Sequence, residues 1–199
     1  MTRRRVLGAV AGVSWLVAVA AGLTVLSTYE NAPGVPGTPP ERWPAESALR
    51  RVPGVATLVM MVHPRCPCSR ASLEELDRLM AHLPGVLLAH VVFVRPPGVA
   101  DDWEQTDLWR RAAAIPGVTL SSDDGGAEGL RFGAVTSGQT AVYDGDGRLL
   151  FQGGITAARG HEGDNAGRAA IIAALSSAGA EPASTPVFGC ALLGNREGA

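Results

Sequence analysis

Residues 57 to 70 read TLVMMVHPRCPCSR, and a change of period inside that stretch decides the fold. Thr57 to Val62 is a short unbroken apolar run rich in branched side chains, the pattern of a strand buried on both faces. From Ser69 onward Leu73, Leu76, Leu79, Met80 and Leu83 recur every three or four residues and so share one helical face. Glu74, Glu75, Asp77 and Arg78 fall largely on the other. Cys66 and Cys68 therefore occupy a strand-to-helix junction. Unpaired backbone N–H groups and the positive end of the helix dipole meet there, which stabilises a thiolate and brings its nucleophilicity toward neutral pH.

Downstream, Val86 to Val94 (VLLAHVVFV) predicts a second buried strand, closed by Arg95-Pro96-Pro97-Gly98. Asp101 to Ala114 predicts a helix, acidic in its first turn, with Arg110 and Arg111 near its end and Pro116-Gly117 stopping it. Val118 to Leu120 reads as a short strand, followed by an acidic Gly-rich loop and a helical piece over Ala127 to Phe132. Gln139 to Tyr143 and Arg148 to Gln152 flank Asp144-Gly145-Asp146-Gly147, a hairpin signal because Asp and Gly tolerate the positive φ of a tight turn. Gly163 to Ala178 predicts a closing helix capped by Asp164 or Asn165, and the tail that follows has no clear period yet carries Cys190. Parallel units closed by an antiparallel hairpin define an α/β sandwich.

Upstream, Thr2-Arg3-Arg4-Arg5 precedes an uncharged apolar stretch from Val6 to Tyr29, long enough as a helix to cross a bilayer. Arginines before it and none just after place the N-terminus inside, so residues 1–29 read as a signal-anchor and the remainder as extracytoplasmic, periplasmic in a Gram-negative cell. Paired thiols are chemically sensible in that oxidising space. Ala18-Val19-Ala20 matches a small-residue cleavage site, which leaves a removed signal peptide as a second reading and a buried core helix as a third. The arginine cluster also resembles a twin-arginine export signal. Residues 30–53 carry Pro33, Pro36, Pro39, Pro40, Pro44 and Pro53 and predict a semi-extended spacer that gives reach to a domain over 54–178 and a tail over 179–199.

All 17 basic residues are arginine and all 19 acidic ones follow Tyr29, so the part beyond the apolar stretch carries a net −5 and nucleic acid is excluded as a partner. Three cysteines are too few for a disulfide-stapled miniature fold, and their odd number leaves one free, metal-bound or transiently paired.

The element order and the position of Cys66 resemble the thioredoxin fold over roughly Val55 to Ala178. The resemblance implies a three-layer sandwich with a mixed sheet, protein thiols or disulfides as partners, and no required cofactor. More narrowly, HPRCPC (63–68), GGIT (153–156), RGHEGDN (159–165) and VFGC (187–190) resemble membrane-anchored thioredoxin-like proteins of the RedB type. Carried over, Cys66 falls on the nucleophilic cysteine, Ser69 on the second motif cysteine, Met60 on the buried acid and Gly138 near the proline that faces the motif. The resemblance thus retains the nucleophile without its usual helpers, and it places RGHEGDN beside the cysteines.

If Cys66 attacks a disulfide, Cys68 or Cys190 must resolve it. A Cys66–Cys68 bond closes a small strained ring and would be easily reduced. His63 is positioned to act as a base, to favour the thiolate when protonated, or to bind metal, and His161 offers a second imidazole. Arg65 and Arg70 either raise the local potential or stand solvated, and His82 and His90 read as structural. Three readings stand: a thiol–disulfide oxidoreductase, a Cu(I) or Zn(II) handler using Cys66, Cys68 and His161, and a thiol-inert binding module on the same scaffold.

Overall fold

The computed structural model describes residues 2–193 apart from Asp101 and residues 177–180. The chain forms two units, Met1–Ala32 and Pro33–Ala199. The first is one helix, α1 (Thr2–Asn31), whose 29 residues from Arg3 are long and apolar enough to cross a membrane. Its Thr24, Thr28 and Asn31 side chains bond back to carbonyls four residues earlier, so these three polar groups are partnered within the helix.

The second unit is built on a six-stranded sheet ordered β3-β2-β1-β4-β5-β6. Its elements are β1 (Ala56–Val62), α2 (Ser69–His82), β2 (Leu87–Arg95), α3 (Asp107–Ala113), β3 (Val118–Asp124), α4 (Ala127–Arg131), β4 (Gln139–Tyr143), β5 (Leu149–Gly153), α5 (Ala166–Ser176) and β6 (Ala183–Ser184). Strands β1, β2 and β3 are parallel, β4 runs antiparallel to β1 and to β5, and β6 joins β5 in parallel. The period of two in β1 sorts its side chains. Leu58, Met60 and Val62 pack with Leu73, Leu76 and Leu79 of α2, Leu108 of α3 and Ile171 of α5, while Val59 and Met61 face the opposite layer.

That opposite layer contains little helix. Phe132 after α4, Trp43 and Leu49 from the Pro-rich segment, and Leu192 from the tail cover it. The expected free spacer is thus packed down from Pro33 onward. Trp43 meets Phe132 edge-on at 5.0 Å, and backbone bonds join Gly34 to Val187, Thr38 to Gly133 and Trp43 to Gly147. Proline density ruled out regular structure in this segment, but it did not rule out burial of its apolar side chains.

The hairpin follows the sequence reading closely. The helix expected over 101–114 begins at Asp107, its expected first residue Asp101 lying outside the described residues. Residues 102–106 instead form turns, because Glu104 is buried and the Thr106 hydroxyl donates to the Pro64 carbonyl. β3 extends four residues beyond expectation, its polar end serving the sheet edge where Arg95 pairs with Asp124. At α5 the cap is Asn165, whose Oδ1 accepts from Arg168 N–H at 2.8 Å, while Asp164 pairs with the Arg168 side chain; the expected end at 177–178 lies outside the described residues.

Candidate functional site

β1 ends at Val62, and a turn closed by Cys66 N–H to the His63 carbonyl (3.0 Å) carries the chain into α2. Cys68 is the residue that precedes the helix, so Cys66 lies just before the first turn rather than inside it. Donors of that turn still reach the sulfur, the Ser69 N–H being shared with the Cys66 carbonyl at 3.1 Å. The Ser69 hydroxyl and backbone N–H both hydrogen-bond Cys66 Sγ.

Cys66 is only 1% exposed, and burial by itself pushes a thiol up. The net direction is nevertheless down, because the bonds from Ser69 and from the Cys190 backbone and thiol outweigh desolvation. Cys190 is delivered by the tail. Ser137 N–H donates to the Cys190 carbonyl at 2.8 Å and Leu192 N–H to the Val135 carbonyl at 2.9 Å, so 190–192 run antiparallel beside 135–137. Burial and the neighbouring Cys66 raise the Cys190 thiol to about 12, and Cys68 is raised by burial and by Cys66. The three reduced sulfurs therefore divide into one whose ionisation is favoured and two whose ionisation is opposed.

A chain of hydroxyls supports the thiolate. His63 N–H donates to Ser137 Oγ at 2.7 Å, and Ser137 Oγ lies 2.7 Å from Ser69 Oγ. Either hydroxyl can donate to the other; when Ser137 donates, the Ser69 proton is free for the Cys66 sulfur and the bonds polarise one another in a single direction. Gly138, where the resemblance places a proline, has φ +86° and lies against Ser72, where an added Cβ would come within 2.8 Å of its hydroxyl.

The other predicted residues are placed as follows. His63 Nδ1 accepts from Arg65 N–H, and its ring stands edge-on to Trp103 at 5.2 Å. Burial and Arg65 lower its pKa, so it is neutral near pH 7 and supplies no positive charge to the cysteines. His161 is exposed and donates to the Arg159 carbonyl. Arg65 stacks over Trp103 and Arg70 pairs with Asp107. His90 Nε2 bonds the Arg50 carbonyl, as a structural histidine would. Among the described residues, no group of three His, Cys, Asp or Glu side chains is arranged to hold a metal ion.

Arg159 opens the RGHEGDN run, and nothing in the sequence sets it apart from its neighbours there. Its guanidinium donates to the Gly189 carbonyl and to Cys68, linking the tail to the motif and opposing the upward shift of Cys68. The loop carrying it is gripped by fully buried Glu75 of α2, which accepts from Gly163 N–H, Asn165 and Arg168. Ser137 was the other residue missed. A small polar residue after a short β-bridge gives no sequence signal of its own.

A mixed sheet of this order with a cysteine at the β1–α2 junction defines the thioredoxin-like class of α/β sandwich. Among solved structures, a hypothetical protein from Sinorhizobium meliloti 1021 superposes with a TM-score of 0.59 at 19% identity, covering 81% of this chain and 93% of that one. An uncharacterized conserved protein from Geobacillus kaustophilus gives 0.58 at 15% identity, covering 84% and 95%. A secreted Mycobacterium tuberculosis disulfide oxidoreductase superposes more loosely, at 0.43 and 14% identity over 62% of this chain and 82% of that one. Identities this low show a shared fold and nothing of activity. No protein-family model and no curated protein matches the chain.

Proposed function

We propose that this chain is a thiol–disulfide oxidoreductase that works outside the cytoplasm from an N-terminal membrane anchor, with Cys66 and Cys190 as its reversible pair. The observation that carries the reading is the return of the tail across 135–137, which brings Cys190 to the buried Cys66 at the β1–α2 junction, where donors from Ser69 and Cys190 lower the Cys66 thiol despite its burial. Stabilising the Cys66 thiolate stabilises the reduced protein, which makes the Cys66–Cys190 disulfide an oxidant. The exchange converts a substrate dithiol and the protein disulfide into a substrate disulfide and two protein thiols, Cys66 leaving as thiolate and Cys190 taking up a proton. A low-molecular-weight disulfide or a partner's disulfide restores the pair. The three arginines in the first turns of α1 and the membrane length of that helix support the extracytoplasmic placement. The finer likeness to the RedB type is supported by HPRCPC, RGHEGDN and VFGC, which contribute Cys66, Arg159 and Cys190 to one cluster.

The test is a redox titration of the full-length protein in detergent, with mass mapping of which sulfurs pair. Expected is a Cys66–Cys190 bond that stays partly reduced in glutathione buffers that fully oxidise an unstrained structural disulfide, and loss of exchange in Cys66→Ser. Three equally slow, ordinary thiols with no intramolecular bond would reject the proposal. Stoichiometric Cu(I) or Zn(II) retained through dialysis and lost in Cys68→Ser would replace it with the metal-handling reading.

A further inference from the structure

We propose that substrate thiols enter through Cys190 rather than Cys66, so that the mixed disulfide of the exchange sits on the C-terminal tail. The inference rests on the oxidoreductase reading and assigns its point of contact. Cys66 is 1% exposed and Cys68 8%, whereas Cys190 is partly open to solvent. Thiolate attack on a disulfide proceeds in line, from the side opposite the departing sulfur. Ser69 packs against Cys66 Sγ, and of the two residues of the pair Cys190 is the less buried.

The tail backbone holds Cys190 in that outer position. Val187 and Leu192 are buried on either side of it, Ser137 N–H fixes its carbonyl, and Gly189 passes so close to Ser137 that an added Cβ would lie 1.9 Å from the carbonyl oxygen. Arg159 donates to the Gly189 carbonyl one residue away, setting a positive charge beside the path of an incoming thiolate. The departing sulfur is received by the Ser69 hydroxyl and N–H, and a better stabilised thiolate leaves faster.

The step balances as follows. A substrate thiolate bonds to Cys190 Sγ as the Cys190–Cys66 bond breaks, and the electron pair of that bond goes to Cys66. The second thiolate of the substrate then bonds to the first substrate sulfur, displacing Cys190, which takes a proton. Two electrons have passed from substrate to protein.

Full-length protein, oxidised with glutathione disulfide and freed of reagent, is mixed with reduced glutathione, quenched in acid at short times and mapped by mass spectrometry. Cys68→Ser is run in parallel so that migration of an adduct through Cys68 is recognised. The expected result in both is glutathione on Cys190 at least about tenfold above Cys66 at the earliest time, as access and leaving-group stability together require. Glutathione first on Cys66, or first on Cys68 in the unsubstituted protein, would overturn the assignment while leaving the oxidoreductase reading intact. Oxidised protein whose peptide mass map shows no Cys66–Cys190 bond would overturn that reading itself, and the two failures are told apart before reduced glutathione is added.

Discussion

Replacing Ser69 with alanine removes the side-chain donor that contributes most to lowering Cys66 and interrupts the chain His63 N–H, Ser137, Ser69, Cys66. A hydrogen bond to a charged acceptor is worth roughly 1.5–3 kcal/mol, and one pKa unit corresponds to about 1.4 kcal/mol. The backbone N–H groups of Ser69 and Cys190 remain in the variant, so the lower end applies and the Cys66 midpoint should rise by about one unit. The assay is the ultraviolet absorbance of the thiolate against pH, taken as the difference between each protein and its Cys66→Ser counterpart, because absorbance reports ionisation without requiring reagent access to a buried sulfur. Weaker stabilisation of the thiolate should also make the pair less oxidising, by about 30 mV per unit for a two-electron couple. Ser137→Ala should move the midpoint less but cost about 1–3 kcal/mol of stability, since His63 N–H loses its acceptor. A Ser69→Ala midpoint within a few tenths of a unit of the parent, in a protein that still melts cooperatively, would refute the claim that aimed donors set the ionisation of Cys66.

Gly189→Ala should push the tail off Ser137, because the new Cβ would stand 1.9 Å from that carbonyl; mass mapping should then find Cys66 paired with Cys68 in place of Cys190. Glu75→Ala strips Arg168, Asn165 and the Gly163 N–H of a shared buried partner, and urea unfolding should show a loss of about 3 kcal/mol, at the low end for broken buried pairs because Arg78 and Arg168 keep some solvent. In the reduced protein the raised Cys190 contributes stability that is full below the ordinary thiol value of 9.0 and is lost as pH climbs to about 12. Cys66 has the opposite sign, contributing above its unfolded value and losing that contribution as pH falls through its lowered folded value. Urea midpoints measured across the alkaline range should therefore fall less steeply in Cys190→Ala than in the parent.

The sheet was legible because its signals are local. Alternation and apolar runs placed β1, β2 and the β4–β5 hairpin to within a residue or two, and the leucine spacing of 73, 76 and 79 placed α2. What escaped was whatever depended on a distant partner. Trp43 and Leu49 sit among prolines that suggest a tether, and only the uncovered face of the sheet, poor in helix, gives them a place to bury. Residues 102–106 have helical composition, yet burial of Glu104 and the Thr106 bond to Pro64 hold them in turns. At the site, Cys66 and its junction could be read from one short stretch. The contribution of Cys190 could not, since it depends on a non-periodic tail folding back across 135–137, and Ser137 and Arg159 gain their roles only through that return.

The geometry sets acidity against access at Cys66, and that opposition explains the division of labour between the sulfurs. Part of what lowers Cys66 comes from the backbone and thiol of Cys190, the residue that stands over it. Lifting the tail to admit a bulky substrate would expose Cys66 and at the same moment remove those donors, so the sulfur would become reachable as its thiolate became less stable. With the tail down, the proposed exchange keeps the Cys66 thiolate as leaving group and Cys190 as the less buried partner. On the proposed function, a thioredoxin-like motif with Ser69 in the second cysteine's place would still conduct two-electron exchange, Ser69 stabilising the Cys66 thiolate and the tail supplying the second sulfur.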